Sequence, residues 1–396
     1  MPSEYRLGPA EWVVTVPVGK SVSLNQSAVV PSPLSAKELV CNALESPFGF
    51  ESMRRAMTSD DRVVIVVDDA LPHLAELLAG VLEHVGSAGV KPDAVTLLLA
   101  PPAHNQGFID DLPDEFADVK VEIHNPDDEN RLAYLATTVA GRRVYLNRTL
   151  VEFEFAIVLT GRRFDPVSGF TGAANAIFPA LSNAATRAEF QGLPPVENPF
   201  AERSERTEAE EITWLLGMPF LVQVIEGQGD SIHAVVAGMK ESAIEGVRVQ
   251  RERWIATTSG RAELVIASAN GGEDALANAL ANAGRIVAAH GRIVLLADVP
   301  IRFGEAFGIL RGSSDAATGA RTILREKPEG TAAAVLWAFA ARAAKLVLGP
   351  DWKPSLAEEF FATQIRSPRE LGEAIALAKS VAVLPDAHKM YVTVST

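Results

Sequence analysis

Cysteine is almost missing from this chain: Cys41 stands alone among 396 residues. One thiol excludes an intrachain disulfide and any thiolate-rich zinc or iron–sulfur centre, and it suits a reducing cytoplasm. Histidine is nearly as scarce. His73, His84, His124, His233, His290 and His388 form no His-x-x-x-His or Glu-x-x-His pair, so an all-histidine metal site has no support. Lys and Arg number 36 against 50 Asp and Glu, giving a net charge of −14 with no basic stripe, which argues against a nucleic-acid partner. No apolar run reaches the roughly 20 residues that span a bilayer. The strongest candidate, Thr331 to Gly349, is interrupted by Arg342 and Lys345 and reads as a core helix. The start, "MPSEYRLGPAEW", has no basic stretch leading into an apolar core, so no secretory signal is expected. A Gly-x-Gly-x-x-Gly fingerprint is also missing, which argues against a nucleotide-dependent dehydrogenase. Nothing in the sequence sets the oligomeric state.

What is present is core-forming material. Hydrophobic residues make up 48% and charged residues 22%, the proportions of a globular chain. The length exceeds what one core serves, so two domains are expected, residues 1–258 and 259–396. "DRVVIVVDD" and "AVTLLLAPPAHN" read as buried strands. Between them Leu74, Leu77, Leu78, Val81, Leu82 and Val85 recur at helical spacing. A right-handed crossover makes those strands parallel, with both ends on one edge, and "FEFAIVLTGRRFD" adds a third end there. "FLVQVIEGQGDSIHAVVAG" reads as a hairpin, and strand–turn–helix–strand resumes after Arg261. The fold class is therefore α/β: two α/β domains with mainly parallel sheets and a ligand cleft between them.

Candidate site residues gather at the strand ends. Asp68 and Asp69 either meet a ligand or cap the following helix. His104 is either an acid/base group or a loop histidine. The segment "TGRRFDPVSGFTGAANAIFPALSN" offers Arg162 and Arg163 as a carboxylate clamp, Asp165 and Asn175 as polar groups, and Gly169 and Gly172 where the chain passes close to a ligand. Glu202 and Arg206, four apart, read as an exposed helix face. "ANGGEDALANAL" reads as a tight turn and helix cap.

In order along the chain, these pieces resemble the nickel-pincer lactate racemase family. "VVDDALP" resembles its Asp-x-x-Arg-Pro motif, "LAPPAHN" its Gly-x-His-Arg segment, and "GFTGAANAIFPALSN" its Gly-Phe-Ser-Gly-Gly-x-Lys stretch followed by Pro-Gly. The resemblance implies an isomerase acting on a small 2-hydroxy acid or related carboxylate, with two histidines moving the hydroxyl proton and a nickel-pincer nucleotide taking hydride. His104 matches one histidine, and Asp165 stands where the other belongs. Asn175 occupies the place of the lysine that anchors the cofactor, and its amide nitrogen cannot form that bond. Gln191 falls at a nickel-binding histidine, Leu71 replaces an arginine, and Asn278 falls at a second-domain lysine that contacts substrate or cofactor. These changes leave a second expectation, a non-catalytic homologue that binds a small carboxylate.

Overall fold

The computed structural model describes residues 3–8, 11–26, 32–103, 106–300 and 302–395. Two sheets organise it. The first has six strands in the order Ile232–Gly238, Phe220–Glu226, Phe155–Gly161, Val63–Val67, Val95–Leu99 and Lys120–Ile123. All neighbours are parallel except the Ile232–Gly238 edge, which returns antiparallel as the expected hairpin. The central strands "VVIVV" and "VTLLL" are buried at every position, as parallel strands covered on both faces require. The helix Leu74–Ser87 makes the crossover between them and buries Leu77, Leu78 and Val81.

The second sheet is wholly parallel, ordered Ala362–Gln364, Lys345–Leu348, Val287–Leu296, Ala262–Ser268 and Val381–Leu384. The Thr331–Gly349 segment is only partly a helix: Thr331–Ala343 is helical, and Lys345–Leu348 then enters the sheet. Leu346 and Leu348 are buried there, so sheet pairing ends the helical run. The N-terminal hairpin Ser3–Leu7 and Trp12–Val16 packs on this sheet through Leu7, Trp12, Val14 and Val16. A small sheet of Leu24–Asn25, Ile255–Thr258 and Tyr391–Val394 lies where the chain passes from one half to the other and returns. One apolar cluster runs across the junction, with Phe164, Phe170 and Ile225 meeting Leu276, Leu280 and Met390. Among the described residues no helix is long and apolar enough to cross a membrane.

Candidate functional site

The strand ends of the first sheet emerge together, but their side chains divide into three settings. At the end of Val63–Val67, Asp68 Oδ2 accepts from Arg163 Nη1 at 2.5 Å and from the Gly161 amide at 3.0 Å, while Oδ1 accepts from the Ala70 amide at 3.1 Å. Asp68 therefore closes a turn and an ion pair. The cap position of the next helix belongs to His73 instead. Arg163 Nε also donates to Glu226 at 2.8 Å, and Glu226 meets Lys389 at 2.9 Å. A Cβ on Gly161 would lie 2.6 Å from the Arg163 guanidinium, so glycine makes this approach possible. Burial pulls the Arg163 pKa down, but the charges of Asp68 and Glu226 more than offset it and raise it above the ordinary arginine value. The expected carboxylate clamp thus fails at Arg163, whose guanidinium is engaged by two carboxylates.

Arg162, the first residue beyond the strand Phe155–Gly161, turns instead toward Gln223. Its Nη1 donates to Gln223 at 2.6 Å, and only 7% of the residue is exposed. A cavity of about 580 Å³ opens beside it, with Gly172 and Asn175 also on the wall. A Cβ on Gly172 would lie 2.8 Å from Arg162 Nη1. Arg206 is not an exposed helix-face residue: it turns inward and donates to the Ser168 and Pro199 carbonyls at 2.6 and 2.9 Å.

The third setting is the contact where the 164–172 loop meets the helix Glu273–Ile286. Asp165 Oδ1 accepts from the Val167 amide at 3.0 Å and from the Ser168 amide and hydroxyl at 2.5 and 2.6 Å. Asn278 Nδ2 donates to the Phe164 carbonyl at 3.1 Å, fastening the loop to the helix one residue before Asp165. Asp274 lies one helical turn before Asn278 and is exposed to water. Crowding by protein, then the nearby carboxylates of Asp165 and Glu273, push its carboxyl up to about 7. Glu273 is raised as well, chiefly by burial, although its Oε2 accepts from the Gly304 amide at 2.7 Å.

Gln191 reaches the same junction, its Nε2 donating to Glu329 at 3.4 Å. One turn earlier on that helix Arg187 donates to the Pro101 carbonyl at 2.6 Å and to the Ala180 carbonyl. Burial lowers the Arg187 pKa, opposed by the charge of Glu329. His104 lies outside the described residues; Pro101 precedes it by three positions in the chain. Asp165, Asn278 and Gln191 are therefore brought to one junction, whereas Arg162, Gly172 and Asn175 line the cavity and Asp68 and Arg163 belong to the ion network.

Sequence reasoning missed Asp274, Arg187, Glu226 and Lys389. Only Asp274 left a signal, as an acid in the first turn after the Gly-Gly pair. Its proton affinity, however, depends on Asp165 from the other half of the chain.

The side chains at the resembled cofactor positions do not fit a covalently attached nickel nucleotide. The Asn175 amide has no nucleophilic lone pair, and its cavity is lined by the cations Arg162 and Arg206, which oppose a bound metal ion. Gln191 is turned toward Glu329, and an amide is a poor nickel ligand beside imidazole. Among the described residues no three His, Cys, Asp or Glu gather as a metal site.

Residues 7–191 match the family model of the lactate racemase N-terminal domain. No curated protein matches the chain. Among solved structures, the lactate racemase apoprotein of Thermoanaerobacterium thermosaccharolyticum superposes with a TM-score of 0.78 at 17% identity, over 99% of this chain and 100% of that one. A structural-genomics crystal structure of a Thermotoga maritima protein gives 0.67 at 13% identity, over 92% and 100%. Residues 7–191 thus carry a lactate racemase N-terminal domain, and the whole chain shares the fold of the lactate racemase apoprotein.

Proposed function

We propose that this chain is an isomerase-family protein acting on a small 2-hydroxy acid or related carboxylate at the contact between the 164–172 loop and the helix Glu273–Ile286. Asp274 carries the reading: a water-accessible carboxyl held up to about 7, with the Asp165 carboxylate among the causes. A group poised near neutrality can both give and take the hydroxyl proton of a bound ligand. Arg187, whose hydrogen bonds go to the backbone carbonyls of Pro101 and Ala180, is the cation suited to a ligand carboxylate. His104, three positions after Pro101 in the sequence, is assigned, with Asp165, the remaining proton handling. The hydrogen at C2 of a hydroxy acid is far too weakly acidic for a carboxylate to remove, so these side chains account for binding, orientation and the hydroxyl proton. The same reading takes residues 1–258 and 259–396 as the two domains and the cytoplasm as the compartment.

The amides of Asn175 and Gln191, where the resembled family has lysine and histidine, favour a second reading: a non-catalytic binder of a small carboxylate. Single enantiomers of lactate and malate incubated with the protein in deuterium oxide separate the two. Loss of optical rotation supports the isomerase, and the absence of deuterium at C2 in the racemised acid marks a hydrogen that leaves and returns as hydride. Calorimetric binding without loss of rotation supports the binder, and neither binding nor loss of rotation across the panel rejects both.

A further inference from the structure

The 580 Å³ cavity beside Arg162 is walled by the strand Phe220–Glu226, the helices Ser204–Leu215 and Lys240–Trp254, and the segment from Phe170 to Asn175. We propose that it is a second, non-catalytic site that binds an amphipathic carboxylate, the carboxylate on Arg162 and an aromatic or branched apolar body on Phe170, Phe200 and Trp214.

The charge comes first. Arg162 is 7% exposed and makes no ion pair among the described residues; its bonds go to the amide oxygens of Gln223 at 2.6 Å and Gln250 at 3.4 Å. A buried guanidinium hydrogen-bonded only to neutral amides, with Glu210 acting on it only through space, is costly, and an anion in contact would offset that cost. Its surroundings repeat the request. Arg206 Nε, on the cavity wall, is buried without a hydrogen-bond partner, a donor awaiting an acceptor. The wall carries four cations, Arg162, Arg206, Lys240 and Arg251, against two carboxylates, Glu210 and Glu211.

Shape and lining then select the body of the ligand. The volume falls within the roughly 300–1,000 Å³ of small-molecule sites and far exceeds what a three-carbon acid needs. Phe170 lies under Arg206 at 5.5 Å and Phe200 under Arg251 at 4.6 Å, so the aromatic faces are held beside cations. Trp214 is 65% exposed and Ile244 is 69% exposed at the rim, apolar surface that a ligand body would cover. The cavity shares the 164–172 loop with the site of the proposed reaction, but none of its lining residues comes from the helix Glu273–Ile286, and its test reads binding without turnover.

3-Phenylpropionate, its amide, phenyl phosphate and lactate are titrated into the full-length protein by calorimetry and Trp fluorescence. 3-Phenylpropionate is expected to bind saturably with quenching, and the amide and lactate at least about tenfold more weakly, a factor of ten being about 1.4 kcal/mol. Phenyl phosphate binding as tightly as the acid would overturn the carboxylate assignment. Arg162→Met should weaken the acid about tenfold while leaving the amide unchanged. Val247→Trp, which fills the cavity from its half-buried wall, should abolish binding with the thermal midpoint retained and keeps the test open if Arg162→Met fails to fold. Equal binding of acid and amide, undiminished binding in the folded Val247→Trp protein, or no binding up to about 10 mM, weaker than the ~4 kcal/mol of a millimolar site, overturns the proposal. Asp274→Asn should leave 3-phenylpropionate binding intact, which separates this site from that of the proposed reaction.

Discussion

Replacing Glu226 by glutamine removes the charge on which two cations from different parts of the fold converge. The carboxylate is 12% exposed, 2.8 Å from Arg163 and 2.9 Å from Lys389. Burial pushes its pKa up, yet the charges of Arg163 and Lys389 prevail and bring it from the ordinary 4.5 to about 2. At roughly 1.4 kcal/mol per tenfold change in proton binding, that difference contributes about 3 kcal/mol of stability at neutral pH. The loss of about 3–5 kcal/mol on breaking a buried ion pair is of the same size. The folded-state pKa is depressed, so the contribution is complete above pH 4.5 and fades as pH falls through about 2. Urea unfolding of native protein and Glu226→Gln from pH 7 down to pH 3 should show a gap of about 3 kcal/mol that narrows below pH 4.5. A gap under about 1 kcal/mol at pH 7, or one that stays constant through the acid range, would refute this account of the network.

Asp274→Asn tests a raised pKa, where the sign reverses. A carboxyl that holds its proton up to about 7 favours the folded state fully below the ordinary 3.8 and loses that advantage as pH rises through 7. The uncharged variant should therefore gain in thermal midpoint over the native protein between pH 4 and pH 8. Asn282→Ala should cost roughly 2–3 kcal/mol in urea unfolding: the side chain is 2% exposed, donates to the Ala387 and Met390 carbonyls at 2.9 and 2.7 Å, and accepts from the Val392 amide at 3.0 Å. Gly169→Ala should destabilise by roughly 1–3 kcal/mol. Gly169 has φ +81°, and a Cβ there would lie 2.6 Å from the Pro199 carbonyl oxygen.

Local pattern carried much of the architecture. The β-branched runs at Val63–Val67 and Val95–Leu99, with helical spacing between them, announced a parallel crossover unit that the sheet register confirms. The resemblance at "GFTGAAN" pointed to the family whose N-terminal domain model matches residues 7–191, and the loop containing Asp165 does reach the second half of the chain through Phe164 and Asn278. Where local pattern failed, a distant partner intervened. Arg206 seemed to belong to a solvated helix face until the Ser168 and Pro199 carbonyls supplied its acceptors. The Thr331–Gly349 run was split because sheet neighbours were available to Lys345–Leu348.

The sequence by itself determined the strand and helix repertoire, the resemblance carried by the N-terminal domain, and the segment 160–183 as the richest in site residues. Tertiary structure decided what each of those residues can do. Arg162 and Arg163 are neighbours with the same side chain, yet one is neutralised by Asp68 and Glu226 while the other faces a cavity with only amides against it. The physical reason is range. Backbone periodicity is set within a few residues, whereas the charge state and freedom of a side chain depend on atoms about 3 Å away that belong to remote parts of the chain.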